Sequence, residues 1–204
     1  MTDLFADKAH EYDQRPIPAQ ISAGVFSAIE AAVPLSPDQV VLDFGAGTGL
    51  IAGKVASRVA RVLAVDISES MLAQLASKPE MPDTVEPIRH DLLEGPLDEQ
   101  VDLIVSAMAM HHVDNTAALL QSLFAQLRPG GRVALADLDA EDGSFHPPDI
   151  QGVFHQGFER LALRQLIVDA GFENVQFVDA CEVDREERRY PIFLVTAQRP
   201  ATDA

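Results

Sequence analysis

Apolar residues in this chain alternate between short continuous runs and longer stretches where they recur every three or four positions. The continuous runs predict strands at about residues 39–43, 61–66, 85–90, 101–108, 132–137, 175–178 and 192–197. The helical period predicts helices at about 17–33, 50–57, 68–76, 115–127 and 157–170. Breakers and caps punctuate them: Pro34 and Pro37 stop the first helix, Ser68 caps the third, Pro129-Gly130-Gly131 stops the fourth, and Gly171 follows the last. The run at 101–108 is almost continuously apolar, as in a strand buried on both faces of a parallel sheet. Residues 79–84 form a breaker-rich loop, and the charged stretch 182–189 joins the last two strands. Strands alternating with helices make a doubly wound α/β sheet the expected fold. One stretch, 138–152, has no clear period and carries Asp139, Glu141, Asp142, Gly143, Pro147 and Pro148. A loop that long in a compact domain is commonly a lid or a binding loop.

Length and charge narrow the partners. At 204 residues the chain suits one domain, with a short helical cap over about 1–36 and a substrate lid over about 138–158. The 32 acidic residues against 15 basic ones give a formal charge of −17. That field repels a phosphate backbone, and the one local basic cluster, Arg185 to Arg189, is interleaved with Glu186 and Glu187, so nucleic acid is excluded as a partner. A single cysteine, Cys181, leaves no internal disulfide and no cysteine metal cluster. The start, Met1 to Phe5, lacks a basic flank with a long apolar region, and no apolar run is long enough to span a bilayer. The expectation is a soluble cytoplasmic protein with no membrane insertion, monomeric or homodimeric.

The chemistry concentrates after the first strand, where Gly45, Gly47 and Gly49 follow Val40 to Phe44 and precede a helical run. Strand, glycine turn and helix in that order bring backbone close to a nucleoside-bearing cofactor at the carboxyl end of a strand. A dinucleotide fingerprint requires its third glycine where Leu50 stands, so the match to a pyrophosphate turn is imperfect. Asp66 ends the second strand, placed to accept hydrogen bonds from ribose hydroxyls, and Asp91 ends the third, placed to meet an adenine amino group.

The series Val41-Leu42-Asp43-Phe44-Gly45-Ala46-Gly47-Thr48-Gly49, Val65-Asp66-Ile67-Ser68 with Met71, Asp91-Leu92, Asp102-Leu103-Ile104-Val105-Ser106 and Leu127-Arg128-Pro129-Gly130-Gly131 resembles the class I S-adenosylmethionine-dependent methyltransferases. More narrowly it resembles their small-molecule branch, which includes the ubiquinone/menaquinone biosynthesis enzymes. The resemblance implies a seven-stranded, mostly parallel sheet of order 3-2-1-4-5-7-6 with the last strand antiparallel. It implies S-adenosylmethionine as cofactor: Asp43, Gly45, Ala46 and Gly47 around the methionyl and ribose part, Asp66 on the ribose, Ile67 and Met71 on the adenine, Asp91 and Leu92 at its edge, and Ser106 near the methionine. Tyr12 resembles the aromatic of an N-terminal cap over the cofactor, and Arg15 is in reach of a carboxylate.

Methyl transfer from a sulfonium needs a nucleophile held in line with the methyl group in a water-poor site, and a base where that nucleophile must lose a proton. His111 and His112, after the fourth strand, are the candidate bases, and Met110 beside them is a candidate to bind the acceptor. Phe145, His146, His155 and Phe158 are candidates to line the acceptor pocket. The histidines and acidic residues of 139–155 match no metal-ligand spacing, so no metal is expected. The expected function is methyl transfer to a nucleophilic atom of a small organic molecule. The alternatives are a cofactor-binding regulatory protein and an NAD-dependent oxidoreductase, the latter lacking a Ser/Tyr/Lys catalytic set.

Overall fold

The computed structural model describes residues 3, 9–147, 150–185 and 188–202. Pro148, Glu186, Glu187 and four of the first five residues lie outside them. A 3-10 helix, Ala9–Gln14, leads into α1 (Pro16–Ala32), where Pro16 starts the helix at the position that needs no backbone donor. There follow β1 (Val40–Phe44), α2 (Ala52–Val55), β2 (Arg61–Asp66), α3 (Glu69–Ala76), β3 (Val85–Arg89) and β4 (Val101–Ala107). The chain continues through a 3-10 turn at Met110–His112, α4 (Thr116–Gln126), β5 (Leu127–Leu138), α5 (Arg160–Asp169), β6 (Glu173–Arg185) and β7 (Arg188–Gln198).

All seven strands form one sheet of order β3-β2-β1-β4-β5-β7-β6, parallel from β3 to β5, with β7 antiparallel to both neighbours. Strand alternation splits the core in two. Val41, Val62, Ala64, Leu103 and Val105 face α1 and α2, while Leu42, Leu63, Val65, Ile104 and Leu135 face α4 and α5. Both faces are covered, which explains why β4 reads as a continuous apolar run. Each helix the sequence predicts is present, within a few residues at its ends. Ser68 and Asn115 cap α3 and α4 by accepting from Met71 N and Ala118 N.

The strands differ more from expectation. β5 begins at Leu127, directly after α4, so Pro129-Gly130-Gly131 lies inside the strand rather than in a turn before it. The sharp residues are absorbed by a register shift between Val101 and Leu103 on β4. β6 runs from Glu173, far beyond the predicted 175–178, and the charged stretch 182–185 continues it to Arg185 opposite Arg188. β6 is an edge strand whose outward residues meet water, so charge there does not interrupt pairing.

Parallel strands bring their carboxyl ends to one edge, and the loops leaving β1, β2, β3, β4 and β5 converge there. Among them is the irregular segment between β5 and α5. It is clipped at its base, where Phe158 N donates to Leu138 O at 2.9 Å, Ala140 N to Phe158 O at 3.1 Å and Glu141 N to Gln156 O at 2.9 Å. Arg160 locks the clip with two 2.7 Å bonds to Asp139.

Candidate functional site

The turn after β1 is built for close approach. Gly45 has φ +66°, and a Cβ there would stand 2.3 Å from Ala109 Cβ, so neither the backbone conformation nor the space admits a side chain. Gly45 N and Ala46 N both donate to Val65 O, at 2.9 and 3.1 Å, which folds the turn back over β2. Asp66 completes the fold: Oδ2 accepts from Gly47 N and Oδ1 from Ser68 N, each at 2.8 Å. Burial raises the Asp66 pKa above the usual carboxylate value despite these bonds.

Asp43, the fourth residue of β1, lies beneath the turn and is 1% exposed. Its Oδ2 is buried with no hydrogen-bond partner. Burial pushes its pKa up to about 8, partly offset by a hydrogen bond from the Ala52 backbone. An orphaned carboxylate oxygen is costly in a closed core, and it calls for a cationic or donating partner. Above it lies a cavity of about 270 Å³, bordered by Asp43, Gly45, Ala46 and Gly47 on one side and by Tyr12, Arg15 and Ile17 on another. The N-terminal 3-10 helix is tied to this turn: Thr48 Oγ1 donates to Asp13 Oδ1 at 2.5 Å, and Lys78 binds both Asp13 and Thr48 O.

The far end of the cavity is formed by Met108, His111, His112, Phe145, His146 and Arg185. Met108, just past β4, holds φ +60°, an uncommon conformation for a side-chain-bearing residue, and its N–H donates to Ala136 O at 2.9 Å. The following 3-10 turn sends its three side chains in different directions. Met110 is fully buried in the core on the α4 side. His111, 1% exposed, turns to the tip of β5, where its Nδ1 lies 2.7 Å from Asp137 Oδ1 and its backbone N–H donates to Asp137 Oδ2 at 3.1 Å. His112 Nδ1 lies 2.6 Å from Gly152 O.

His146 approaches from the irregular segment, its Nε2 3.2 Å from His111 Nε2. Burial, then the nearness of His111, His112 and the Arg185 guanidinium, lowers its pKa to about 4, so the imidazole is neutral at physiological pH. Arg185, near the end of β6, donates to Phe145 O and stands 5.5 Å over the Phe145 ring. Among the described residues it has no carboxylate partner.

The residues expected from the sequence therefore divide. Tyr12, Arg15, Asp43, Gly45, Ala46, Gly47, His111, His112, Phe145 and His146 border this cavity. Asp66, Ile67 and Asp91 do not border it: Asp66 ends β2 and holds Gly47 N of the rim, Ile67 follows it at 53% exposed, and Asp91 lies past β3, where its Oδ1 accepts from Leu93 N at 2.9 Å. Ser106 is fully buried and donates to Phe44 O at 2.8 Å, bracing β4 against β1. Met71 and Leu92 are buried side chains that do not border the cavity.

Three residues expected to line an acceptor pocket face elsewhere. Met110 and Phe158 belong to the core on the opposite side of the sheet, and His155 Nε2 is bound by Val113 O at 2.9 Å and Thr116 Oγ1 at 3.2 Å. Helix and strand periodicity cannot show which way a loop side chain turns. Asp137 and Arg185 are site residues that the sequence pattern does not single out. Asp137 reads as the last residue of an apolar strand, and a charged residue at that buried tip is the signal that points to it. Among the described residues, no three His, Cys, Asp or Glu side chains are grouped to hold a metal ion. None of the described helices is long and apolar enough to cross a membrane.

A family model described as a methyltransferase domain matches residues 41–131. An uncharacterized methyltransferase of Geobacillus kaustophilus is 30% identical over 169 residues, covering 78% of this chain and 77% of that protein. An uncharacterized methyltransferase of Schizosaccharomyces pombe is 27% identical over 161 residues, covering 71% of this chain and 57% of that one. The chain thus spans little more than half the length of that relative. An S-adenosylmethionine-dependent methyltransferase of Mesorhizobium loti superposes with a TM-score of 0.69 at 23% identity, covering 86% of this chain and 98% of that one, which shows the shared fold. The chain belongs to the class I S-adenosylmethionine-dependent methyltransferase superfamily.

Proposed function

We propose that the protein transfers a methyl group from S-adenosylmethionine to a small organic acceptor bound at the His111 and His146 end of the cavity. The observation that carries this reading is the orphaned Asp43 Oδ2 at the floor of a cavity walled by the glycine turn. A buried carboxylate with a free oxygen fits the ammonium of a methionyl group, and Arg15, with no ion-pair partner among the described residues, fits its carboxylate. Asp66 would hold the ribose hydroxyls, exchanging its bond from Gly47 N for donors on the ligand, and exposed Ile67 offers the adenine an apolar ledge. Asp91 would meet the adenine amino group, with Leu92 supplying backbone contact and Met71 supporting the ledge from below. Tyr12 closes the cavity from the N-terminal side.

When bound, the cofactor supplies an electrophilic methyl group on a sulfonium. The chain's own residues position the acceptor and exclude water: Phe145 and Met108 form apolar walls, while His111 or His112 accepts a proton where the acceptor must lose one. The small cavity and the charge of −17 favour a small acceptor over a nucleic acid or a quinone with a long tail. Within the superfamily we place the chain in the small-molecule branch as a proposal, with an acceptor that differs from the quinones of the ubiquinone/menaquinone enzymes.

The test is titration calorimetry with S-adenosylhomocysteine. We expect micromolar binding, weakened about 10- to 100-fold by Asp66→Ala, as for the loss of hydrogen bonds to a charged group. Absence of binding heat across temperatures for the parent protein would refute the reading.

A further inference from the structure

We infer that Asp137, His111 and His146 form one proton-accepting chain, and that the acceptor presents to it a hydroxyl group, phenolic or enolic, that is methylated on oxygen. This rests on the methyltransferase reading above and goes beyond it by naming the base and the nucleophile.

The geometry sets the direction of the chain. Asp137 Oδ1 lies 2.7 Å from His111 Nδ1, and a carboxylate only accepts, so the ring carries its hydrogen on Nδ1. In the neutral ring that receives a proton, His111 Nε2 is then the bare nitrogen, and it faces His146 Nε2 at 3.2 Å. Two bare nitrogens do not attract each other, so His146 carries its hydrogen on Nε2 and donates it to His111. That leaves His146 Nδ1 as an acceptor with no partner among the described residues, on a ring that borders the cavity. With His111 neutral, the hydrogens of the row follow from one buried carboxylate, 0% exposed, at the tip of β5.

The surrounding charges favour a nucleophile that becomes an anion. The groups facing the row are Asp137 from β5, His112 from the same turn, and Arg185 from β6, with Phe145 and Tyr190 packed beside it. Arg185 opposes a positive charge on His146 and favours a negative one on an oxygen beside it. His146 is thus a poor final holder of a proton and a good conductor of one. The acceptor O–H passes its proton to His146 Nδ1 while the His146 Nε2 hydrogen moves to His111 Nε2. His146 ends neutral, and the imidazolium rests on His111 against Asp137. The freed oxygen lone pair forms the O–CH3 bond, and the S–CH3 electron pair remains on sulfur in the departing thioether. An amine needs no such apparatus, since it attacks as the free base and sheds its proton afterwards. A hydroxyl with a pKa of about 10 does need it.

Two measurements test the proposal. In nitrogen-detected NMR of the whole protein, His111 should appear as the Nδ1–H tautomer and His146 as the Nε2–H tautomer, with the His111 assignment lost in Asp137→Asn. The opposite tautomer at His111 overturns the chain. In the second, labelled S-adenosylmethionine is offered with a panel of small phenols, enols, thiols and primary amines. We expect label in hydroxyl acceptors, a rate that rises with pH to a plateau, and a loss of about 100- to 10,000-fold in kcat for His146→Gln. S-adenosylhomocysteine affinity should stay within about twofold in that variant, whose side chain is half-buried and replaceable without unfolding. Transfer confined to amines or thiols, no turnover of any hydroxyl probe, or an unchanged pH profile in His146→Gln overturns it. Loss of S-adenosylhomocysteine binding by the parent protein would instead defeat the methyltransferase reading itself.

Discussion

At the scale of the residue, Asp43 carries the most informative conflict between folding and binding. Its carboxyl is buried by the same strand that places it at the turn, so the ligand-free protein holds it protonated below about pH 8. A bound ammonium favours the ionised form. Binding of S-adenosylhomocysteine below pH 8 should therefore release a proton, and affinity should rise with pH until about 8 and level off. Calorimetry in buffers of different ionisation heat reads this directly, and a proton count of zero at pH 7 contradicts it. The linkage sign for stability is the reverse: a carboxyl whose folded pKa is raised stabilises fully at low pH, and that contribution is lost as pH climbs from about 4 to about 8. Asp43→Asn should accordingly melt higher than the ligand-free parent above pH 8 while no longer binding ligand. Asp43 was legible in the sequence because it ends an apolar run before glycine. Asp137 also ends an apolar run, but no glycine turn follows it and its partner is 26 residues away, so its position marks it while its role stays hidden.

At the scale of the element, the strand, glycine turn and helix around β1 form a unit that the sequence specifies almost completely. The positive φ at Gly45 and the contact with Ala109 make two separable contributions. Gly45→Ala should destabilise the fold by about 1–3 kcal/mol. Adding Ala109→Gly should restore the steric part and leave the conformational part, read as thermal midpoints of both variants. Equal midpoints for the two would mean that the contact is unimportant. The β6 and β7 pair is the opposite case. Its outer positions are charged and its period is weak, so local pattern understates its length, and pairing with β7 extends it to Arg185. That extension is what carries the Arg185 guanidinium over the sheet edge to Phe145 and His146.

At the scale of the whole molecule, a formal charge of −17 acts on every part of the surface at once. Many arginines are already engaged with carboxylates, as Arg58 is with Glu30, Arg61 with Glu86, and Arg160 with Asp139 and Asp179. The remaining repulsion is long-ranged and screened by salt. Raising ionic strength from about 10 to about 150 mM shortens the screening length from about 30 to about 8 Å, so the thermal midpoint should rise. A falling midpoint would show that the ion pairs outweigh the repulsion. The same field makes the cavity's arginines distinctive. Arg15 and Arg185 face one enclosed space in a molecule that otherwise repels anions.

The order of strands and helices, the caps at Ser68 and Asn115, and the glycine turn with Asp43 and Asp66 were determined by the sequence itself, because each depends on neighbours within a few residues or on a fixed period. The alignment of five strand ends on one edge follows from that order through the geometry of a parallel sheet. The acceptor end of the cavity was decided only by tertiary structure. His111, Asp137, His146 and Arg185 come from four separate segments, and no local period relates them. Met110, His155 and Phe158 stood as near in sequence and turned away, because burial in the far core and bonds to backbone carbonyls offered them better partners.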